Sequence, residues 1–93
     1  MATKILIPTP LRAYTDKKGS VLAEGNTVRE LLEHLTTNYA TLQRHLFSDD
    51  GKLRAFVNVY VNNEDIRYLQ KEKTAVKETD TVSIIPSIAG GTQ

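Results

Sequence analysis

The stretch Phe56-Val57-Asn58-Val59-Tyr60-Val61 is the strongest predicted β-strand of this chain. Its β-branched and aromatic residues favour a strand, in which successive side chains point to opposite faces. The three valines therefore suit a core, whereas Phe56, Asn58 and Tyr60 would face the other side. Asn62-Asn63 follows as a predicted turn, because asparagine tolerates positive φ better than most residues that carry a side chain.

Three more strands are predicted around this segment. Residues 81–85 alternate as a last strand closed by a proline, and the charged residues 64–73 before them predict no regular element. Near the start of the chain, residues 3–8 are rich in isoleucine and predict a first strand. Residues 8–19 then form a predicted loop, and Ser20–Glu24 predicts a second strand that returns antiparallel to the first.

The sequence Thr27-Val28-Arg29-Glu30 matches a capping box and predicts the start of a helix. In such a box the Thr27 hydroxyl accepts from the Glu30 amide, and the Glu30 side chain reaches back to the Thr27 amide. The apolar residues that follow fall within one stripe at helical spacing: Val28, Leu31, Leu32, Leu35, Tyr39, Leu42 and Leu46. Because Thr-Thr-Asn at 36–38 is a run of poor helix formers, we predict that the helix ends there. A second short helical turn would carry Leu42 and Leu46.

The element order is strand, strand, helix, strand, irregular segment, strand. This order predicts an α+β domain in which a mixed sheet packs on one main helix, and a ubiquitin-like β-grasp is the small fold that fits it. The first and last strands would lie parallel in the middle of the sheet. We assign residues 1–86 to this single domain, whose length allows one modest core, and residues 87–93 to a flexible C-terminal tail.

Composition excludes several classes of function. The 12 basic and 11 acidic residues are interspersed, which indicates a solvated surface and no nucleic-acid partner. The chain has no cysteine, so it can form neither a disulfide nor a thiolate metal site, and no side-chain thiol can carry a chemical group. No segment approaches the roughly 20 apolar residues of a membrane span, and the N-terminal apolar run is too short for a secretion signal. We therefore expect a cytoplasmic protein with no membrane partner.

A pair of glycines, Gly90-Gly91, lies almost at the end of the chain. Two adjacent residues without Cβ can enter a narrow channel that would reject any side chain, whereas a merely frayed terminus is the simpler alternative. At about 3.3 Å per residue, the segment from Pro86 to Gly91 could project roughly 16 Å. The pair would then be presented at a distance from the domain.

Several segments together form a recognisable pattern: residues 56–67, Val82-Ser83-Ile84-Ile85-Pro86, Ile88-Ala89-Gly90-Gly91 and, more weakly, Ile7-Pro8-Thr9 and Leu11-Arg12. With them the chain resembles the small sulfur-carrier proteins of the ThiS/MoaD family, and most of all the longer branch that includes the carrier for cysteine biosynthesis. The resemblance implies that a ubiquitin-activating-type enzyme adenylates the carboxylate of Gly91. Sulfur would then replace AMP, and the resulting thiocarboxylate would donate sulfur to an acceptor enzyme.

In that scheme Gly91 carries the acyl adenylate and the thiocarboxylate, and Gly90 gives unhindered access to it. The chain would be no enzyme, would hold no catalytic residue and no metal, and would bind no cofactor. ATP and magnesium would be used by the activating partner, where phosphate charge is neutralised. Thr92 and Gln93 depart from the family pattern because they follow Gly91. We hypothesise a precursor from which a zinc-dependent, tail-processing metallopeptidase removes both residues.

Two alternatives to a sulfur carrier stay open. A ubiquitin-like modifier would transfer the same activated Gly91 to a lysine amine, since only the nucleophile differs. A β-grasp binding module would use no terminal chemistry, and deleting residues 90–93 would leave its function intact.

We also predict a partner-docking patch on the outer sheet face, formed by Leu6, Phe56, Tyr60 and Ile85. Ordinary exposed apolar area is the alternative.

The remaining polar candidates favour structural interpretations. His34 and His45 would stand about 16 Å apart along a continuous helix and are expected to face solvent, so no shared metal site is predicted. Asp49-Asp50 and Glu64-Asp65 could suggest paired acid-base carboxylates, but each pair lies beside a turn, where such residues usually bond to backbone. Arg12 and Arg67 could pair with acidic groups on a partner or simply lie on loops, and the sequence does not separate these possibilities.

Overall fold

The structure is a computed structural model, and it describes residues 2–86. Within that range the chain forms five β-strands, two α-helices and several short 3₁₀ helices. The strands are β1 (Ala2–Leu6), β2 (Ser20–Glu24), β3 (Val57–Val61), β4 (Glu64–Asp65) and β5 (Thr81–Pro86). The α-helices are α1 (Val28–Asn38) and α2 (Gln43–Leu46), and the 3₁₀ helices are Thr9–Tyr14, Ala40–Leu42, Ile66–Tyr68 and Lys71–Lys73.

The strands form one mixed sheet in the order β2-β1-β5-β3-β4. Strands β1 and β2 are antiparallel, β1 and β5 are parallel, and β3 is antiparallel to β5. The predicted parallel pairing of the first and last strands is therefore confirmed, and β5 is the central strand. Together with α1 against one face, this is the ubiquitin-like β-grasp that the element order predicted.

The core lies between α1 and one face of the sheet. Six of the seven residues of the predicted helical stripe are at 0% exposure, and Tyr39 is half-buried against them. The six are Val28, Leu31, Leu32, Leu35, Leu42 and Leu46. The three valines of β3 are buried in the same cluster. Each fully buried leucine or valine contributes roughly 1.5–3 kcal/mol relative to exposure. The alternation in β3 and the stripe in α1 therefore hold the two layers together.

The predicted capping box is half correct. The Thr27 hydroxyl accepts from the Glu30 amide at 3.2 Å, but the Glu30 carboxylate accepts from the Asn26 amide at 2.8 Å and not from that of Thr27. The chain around Thr27 pairs with residues 74–76, where the Val28 amide donates to the Thr74 carbonyl. This strand-like pairing places the Asn26 amide within reach of the carboxylate.

Two segments predicted to lack regular structure contain short elements. Residues 9–14 of the loop form a 3₁₀ helix with a proline in its first turn, and its Leu11 is buried in the core. Strand β4 was also missed, because it is only two residues long and charged. It pairs with β3 through the Asn62-Asn63 turn, whose φ values of 51° and 74° suit a two-residue hairpin. Strand β3 begins at Val57, one residue later than predicted.

Candidate functional site

The carboxyl end of the central strand comes shortly before the paired glycines in the sequence. Pro86 is the last residue of β5 and pairs with Val57 of β3. The predictions for Gly90, Gly91, Thr92 and Gln93 lie outside the described residues, as does the flexible tail assigned to 87–93. What the structure defines is the surface around Pro86 from which that segment starts.

The outer face of the sheet, opposite α1, leads to Pro86. Leu6 lies beside Ser83 on β5, and Ser83 lies beside Tyr60 on β3. Ile85 lies opposite Asn58 of β3 and directly precedes Pro86. Leu6 and Ile85 are 39% and 49% exposed, and Tyr60 is half-buried. Three of the four predicted docking residues therefore share one face.

Phe56, the fourth predicted docking residue, lies just before β3 and is 45% exposed. Its neighbour Val57 pairs with Pro86, so Phe56 lies at the tail end of the outer face. The four side chains thus form an apolar path toward the start of the tail. We call this set, Leu6, Phe56, Tyr60 and Ile85, the outer-face patch.

Sequence reasoning missed one apolar residue on the same face. Leu22 of β2 is 64% exposed and pairs directly with Lys4 of β1, which shares the orientation of Leu6. Its neighbour Ala23 is buried, and the alternation of β2 therefore points Leu22 outward. Val21, Leu22 and Ala23 are all apolar, so the sequence of β2 does not show which of them faces outward.

The two arginines that the sequence left undecided both make contacts within the chain. Asp65, opposite Tyr60 in the sheet, receives the Arg67 guanidinium at 2.7 Å and the Arg67 amide at 2.8 Å. The hydrogen bonds from the Arg67 guanidinium and amide lower the pKa of the Asp65 carboxyl. The Nε atom of Arg12 donates to the carbonyl of Ile7 at 3.1 Å. The side chain of Arg67 is still 62% exposed.

One member of each acidic pair, Asp50 and Asp65, accepts a backbone bond beside its turn, as predicted. Asp50 accepts from the Ser48 hydroxyl and from the Lys52 amide, and the hydroxyl is the main cause of a lowered pKa at Asp50. A carboxylate held ionised by such bonds is a weak proton donor at neutral pH. Among residues 2–86, no three His, Asp or Glu side chains lie close enough to hold a metal ion.

The prediction that both histidines face solvent is wrong. His34 is half-buried, and its Nδ1 accepts from the Glu24 amide of β2 at 2.6 Å. His45 stacks on Tyr14, with ring centroids 4.4 Å apart, and its Nε2 is buried. Both rings pack against elements distant in sequence, which the helical periodicity alone could not indicate.

In the part of the chain that the structure covers, no helix is both long and apolar enough to cross a bilayer.

Comparison with known proteins gives a consistent result. The model of the ThiS family matches residues 5–91. Sulfur carrier protein CysO of Mycobacterium tuberculosis is 41% identical over 93 aligned residues, which cover 98% of this chain and 100% of that relative. Small archaeal modifier protein 3 of Haloferax volcanii is 35% identical over 65 residues, 70% of each chain.

The structural likeness agrees with the sequence similarity. A chain in the crystal structure of the Amycolatopsis orientalis BexX/CysO complex superposes with a TM-score of 0.87. It is 40% identical, and the match covers 97% of this chain and 100% of that one. Family match, whole-length identity and shared topology point the same way. This chain therefore belongs to the ThiS family.

Proposed function

We propose that this chain is a sulfur carrier whose reactive group is the carboxylate of Gly91. The observation that carries the proposal is the position of the glycine pair in the sequence. Gly91 follows Pro86, the end of the central strand, by five residues and is the last residue of the family match. A rigid strand followed by two residues without side chains can deliver a carboxylate into a narrow active site. The similarity to CysO supports the same assignment.

The chemistry needs little from the carrier itself. The Gly91 carboxylate attacks the α-phosphorus of ATP and displaces pyrophosphate, which gives an acyl adenylate. Hydrosulfide then attacks the carbonyl and expels AMP, leaving a thiocarboxylate that an acceptor enzyme consumes. ATP and magnesium are bound by the ubiquitin-activating-type partner. The carrier is not an enzyme in this scheme, binds no cofactor and acts in the cytoplasm.

A processing step would precede activation. Thr92 and Gln93 follow Gly91 and would bring side chains into a channel suited to glycine. A metallopeptidase that hydrolyses the Gly91–Thr92 bond would release Thr-Gln and expose the Gly91 carboxylate. The outer-face patch would dock the processed carrier on its activating enzyme, since it forms an apolar path toward Pro86.

Intact mass of the protein from its native cells tests this scheme. We expect the mass of residues 1–91, or of 2–91 if the initiator methionine is removed. A thiocarboxylated fraction should be heavier by about 16 Da, because one oxygen is exchanged for sulfur. A species that still ends at Gln93 and nevertheless forms thiocarboxylate would refute the processing step.

A truncated protein ending at Gly91, incubated with the activating enzyme and ATP, tests the carrier role directly. The matched control ends at Ala89 and lacks both glycines. We expect adenylation of the first protein and none of the second. Failure of the Gly91-ended protein to be adenylated would refute the carrier assignment.

A protein modifier is the second candidate, and the similarity to small archaeal modifier protein 3 favours keeping it. In this case a lysine amine attacks the activated Gly91 carbonyl and forms an isopeptide bond. No basic residue immediately precedes Gly90, so trypsin would not leave a short Gly-Gly remnant on the target. High-mass adducts that disappear on deletion of Gly90-Gly91 would identify a modifier, whereas a thiocarboxylate without adducts would identify a carrier.

A further inference from the structure

A groove of about 450 Å³ lies at the carboxyl end of β5, beside the start of the tail. Pro86 and Phe56 line it on one side, and Tyr14, Arg44, His45 and Arg54 are among the residues that line the rest. These residues come from the first 3₁₀ helix, α2, the segment before β3 and the end of β5. We call it the tail-root groove.

The tail-root groove is basic in a chain that is nearly neutral overall. Two arginines and a histidine line it, and none of its described lining residues is acidic. The ion pairs of residues 2–86 involve Arg29 and Arg67, so within that range neither Arg44 nor Arg54 is neutralised by a carboxylate. The chain as a whole carries a net charge of only +1. Positive charge is therefore concentrated where the tail begins.

The groove is also held in shape before any partner arrives. The Nε atom of Arg54 donates to the Arg44 carbonyl at 2.7 Å, and the Arg54 amide donates to the Leu46 carbonyl at 2.8 Å. These bonds orient the guanidinium and leave its two terminal nitrogens to meet a carboxylate. The His45 ring is fixed by its stacking on Tyr14. Less side-chain entropy is lost when such a preorganised site binds.

We infer that the tail-root groove binds an acidic segment of the activating enzyme, next to the channel that receives Gly91. The inference rests on the proposed function. Gly91 lies at most about 16 Å of extended chain beyond Pro86, so an enzyme that encloses it must come close to the groove. Asp or Glu side chains on that enzyme would complement Arg44 and Arg54. Through Phe56 the groove is continuous with the outer-face patch, so apolar and charged contacts would form one interface.

Steady-state adenylation, followed by ATP–pyrophosphate exchange with the activating enzyme from the same cell, tests the inference. The test protein ends at Gly91 and carries Arg44→Glu, because Arg44 is exposed and its described hydrogen bond uses only its carbonyl. Charge complementarity acts mainly on association, so we expect kcat/KM to fall about tenfold at low salt with kcat retained. Arg44→Lys should recover most of the loss. Arg54→Glu should act in the same direction, with its fold checked by circular dichroism.

Lys77→Glu is the matched control, since it makes the same charge change on an exposed residue beyond the opposite end of β5. Its rate should equal that of the wild type. The wild-type rate should fall with added salt, and the Arg44→Glu rate should fall less.

Two outcomes would overturn the inference. A wild-type rate for Arg44→Glu, with Gly91 still required, would refute the groove contact and leave the carrier function standing. Absence of adenylation in the wild type would refute the proposed function and the groove contact together.

Discussion

At the residue scale, Asp80 ties the β3–β4 turn to the start of β5. Its carboxylate accepts from the Asn62 side chain and from the Lys77 amide, both at 2.8 Å. The same asparagine accepts from the Thr81 amide at 2.9 Å. The bond from Asn62 is the main cause of a lowered pKa at Asp80, and the bond from the Lys77 amide is the second. The turn, in which Asn62 has a positive φ, is thereby anchored to the central strand.

We predict that Asp80→Asn lowers the free energy of unfolding by about 1 kcal/mol at pH 7, because an amide can accept only one of the two bonds. The folded pKa of Asp80 lies below its ordinary value of 3.8. Its stabilising effect is therefore fully present above that value and is lost as pH falls through the lower folded pKa. Urea unfolding should show the difference between wild type and variant shrinking below about pH 4. Glu78→Gln is the control, and a deficit that does not change with pH would contradict the prediction.

At the element scale, the junction between β2 and α1 is closely packed. Strand β2 is an edge of the sheet, and His34 of α1 accepts its Glu24 amide, which covers one edge N–H with a helix side chain. The next residue, Gly25, approaches the first turn of α1 closely. A Cβ at this position would lie 2.8 Å from the Glu30 Cβ and 2.9 Å from the Leu31 amide nitrogen.

Gly25→Ala should therefore destabilise the protein by about 1–3 kcal/mol, the usual cost of forcing extra atoms into a packed site. The neighbouring atoms belong to helix backbone and to a Cβ, so they cannot rotate away. Gly19→Ala is the matched control, because its Cβ would meet only the flexible Arg12 side chain at 3.4 Å. Denaturant midpoints of both variants measure the difference. Equal midpoints would show that the joint can relax.

Local sequence was a good guide to this joint. Thr27 and Glu30 predicted where α1 begins, and the poor helix formers at 36–38 predicted where it ends. The bond from Glu30 to Asn26 could not be predicted, because it depends on the pairing of residues 26–28 with 74–76, nearly fifty residues away. The position of a helix cap can be predicted from local sequence, whereas the groups that bond to it depend on tertiary packing.

At the scale of the whole molecule, the sheet order places the outer-face patch along a path to Pro86. We predict that Phe56→Asp slows adenylation of the Gly91-ended protein at least about tenfold, since the loss of a hot-spot residue from an interface costs about 2 kcal/mol or more. Thermal melting should show that the domain stays folded, because Phe56 is already 45% exposed. Unchanged kinetics would remove this face from the docking site.

Leu22→Asp provides the comparison for Phe56→Asp. It places the same charge on the same face, but on the edge strand β2, two strands from β5. We expect a smaller loss of rate than for Phe56→Asp. An equal or larger loss would move the centre of the docking surface away from the tail.

The sequence by itself determined the main helix and the longer strands, the buried stripe of α1 and the inward valines of β3. These depend on residue type and on periodicities of 2 and 3.6, which act over a few neighbours. Only the tertiary structure brought Arg44 and Arg54 beside Pro86, placed His45 on Tyr14 and added β4 to the sheet. Those contacts join residues whose local preferences say nothing about one another, because strand register and helix packing across the whole chain decide which of them meet.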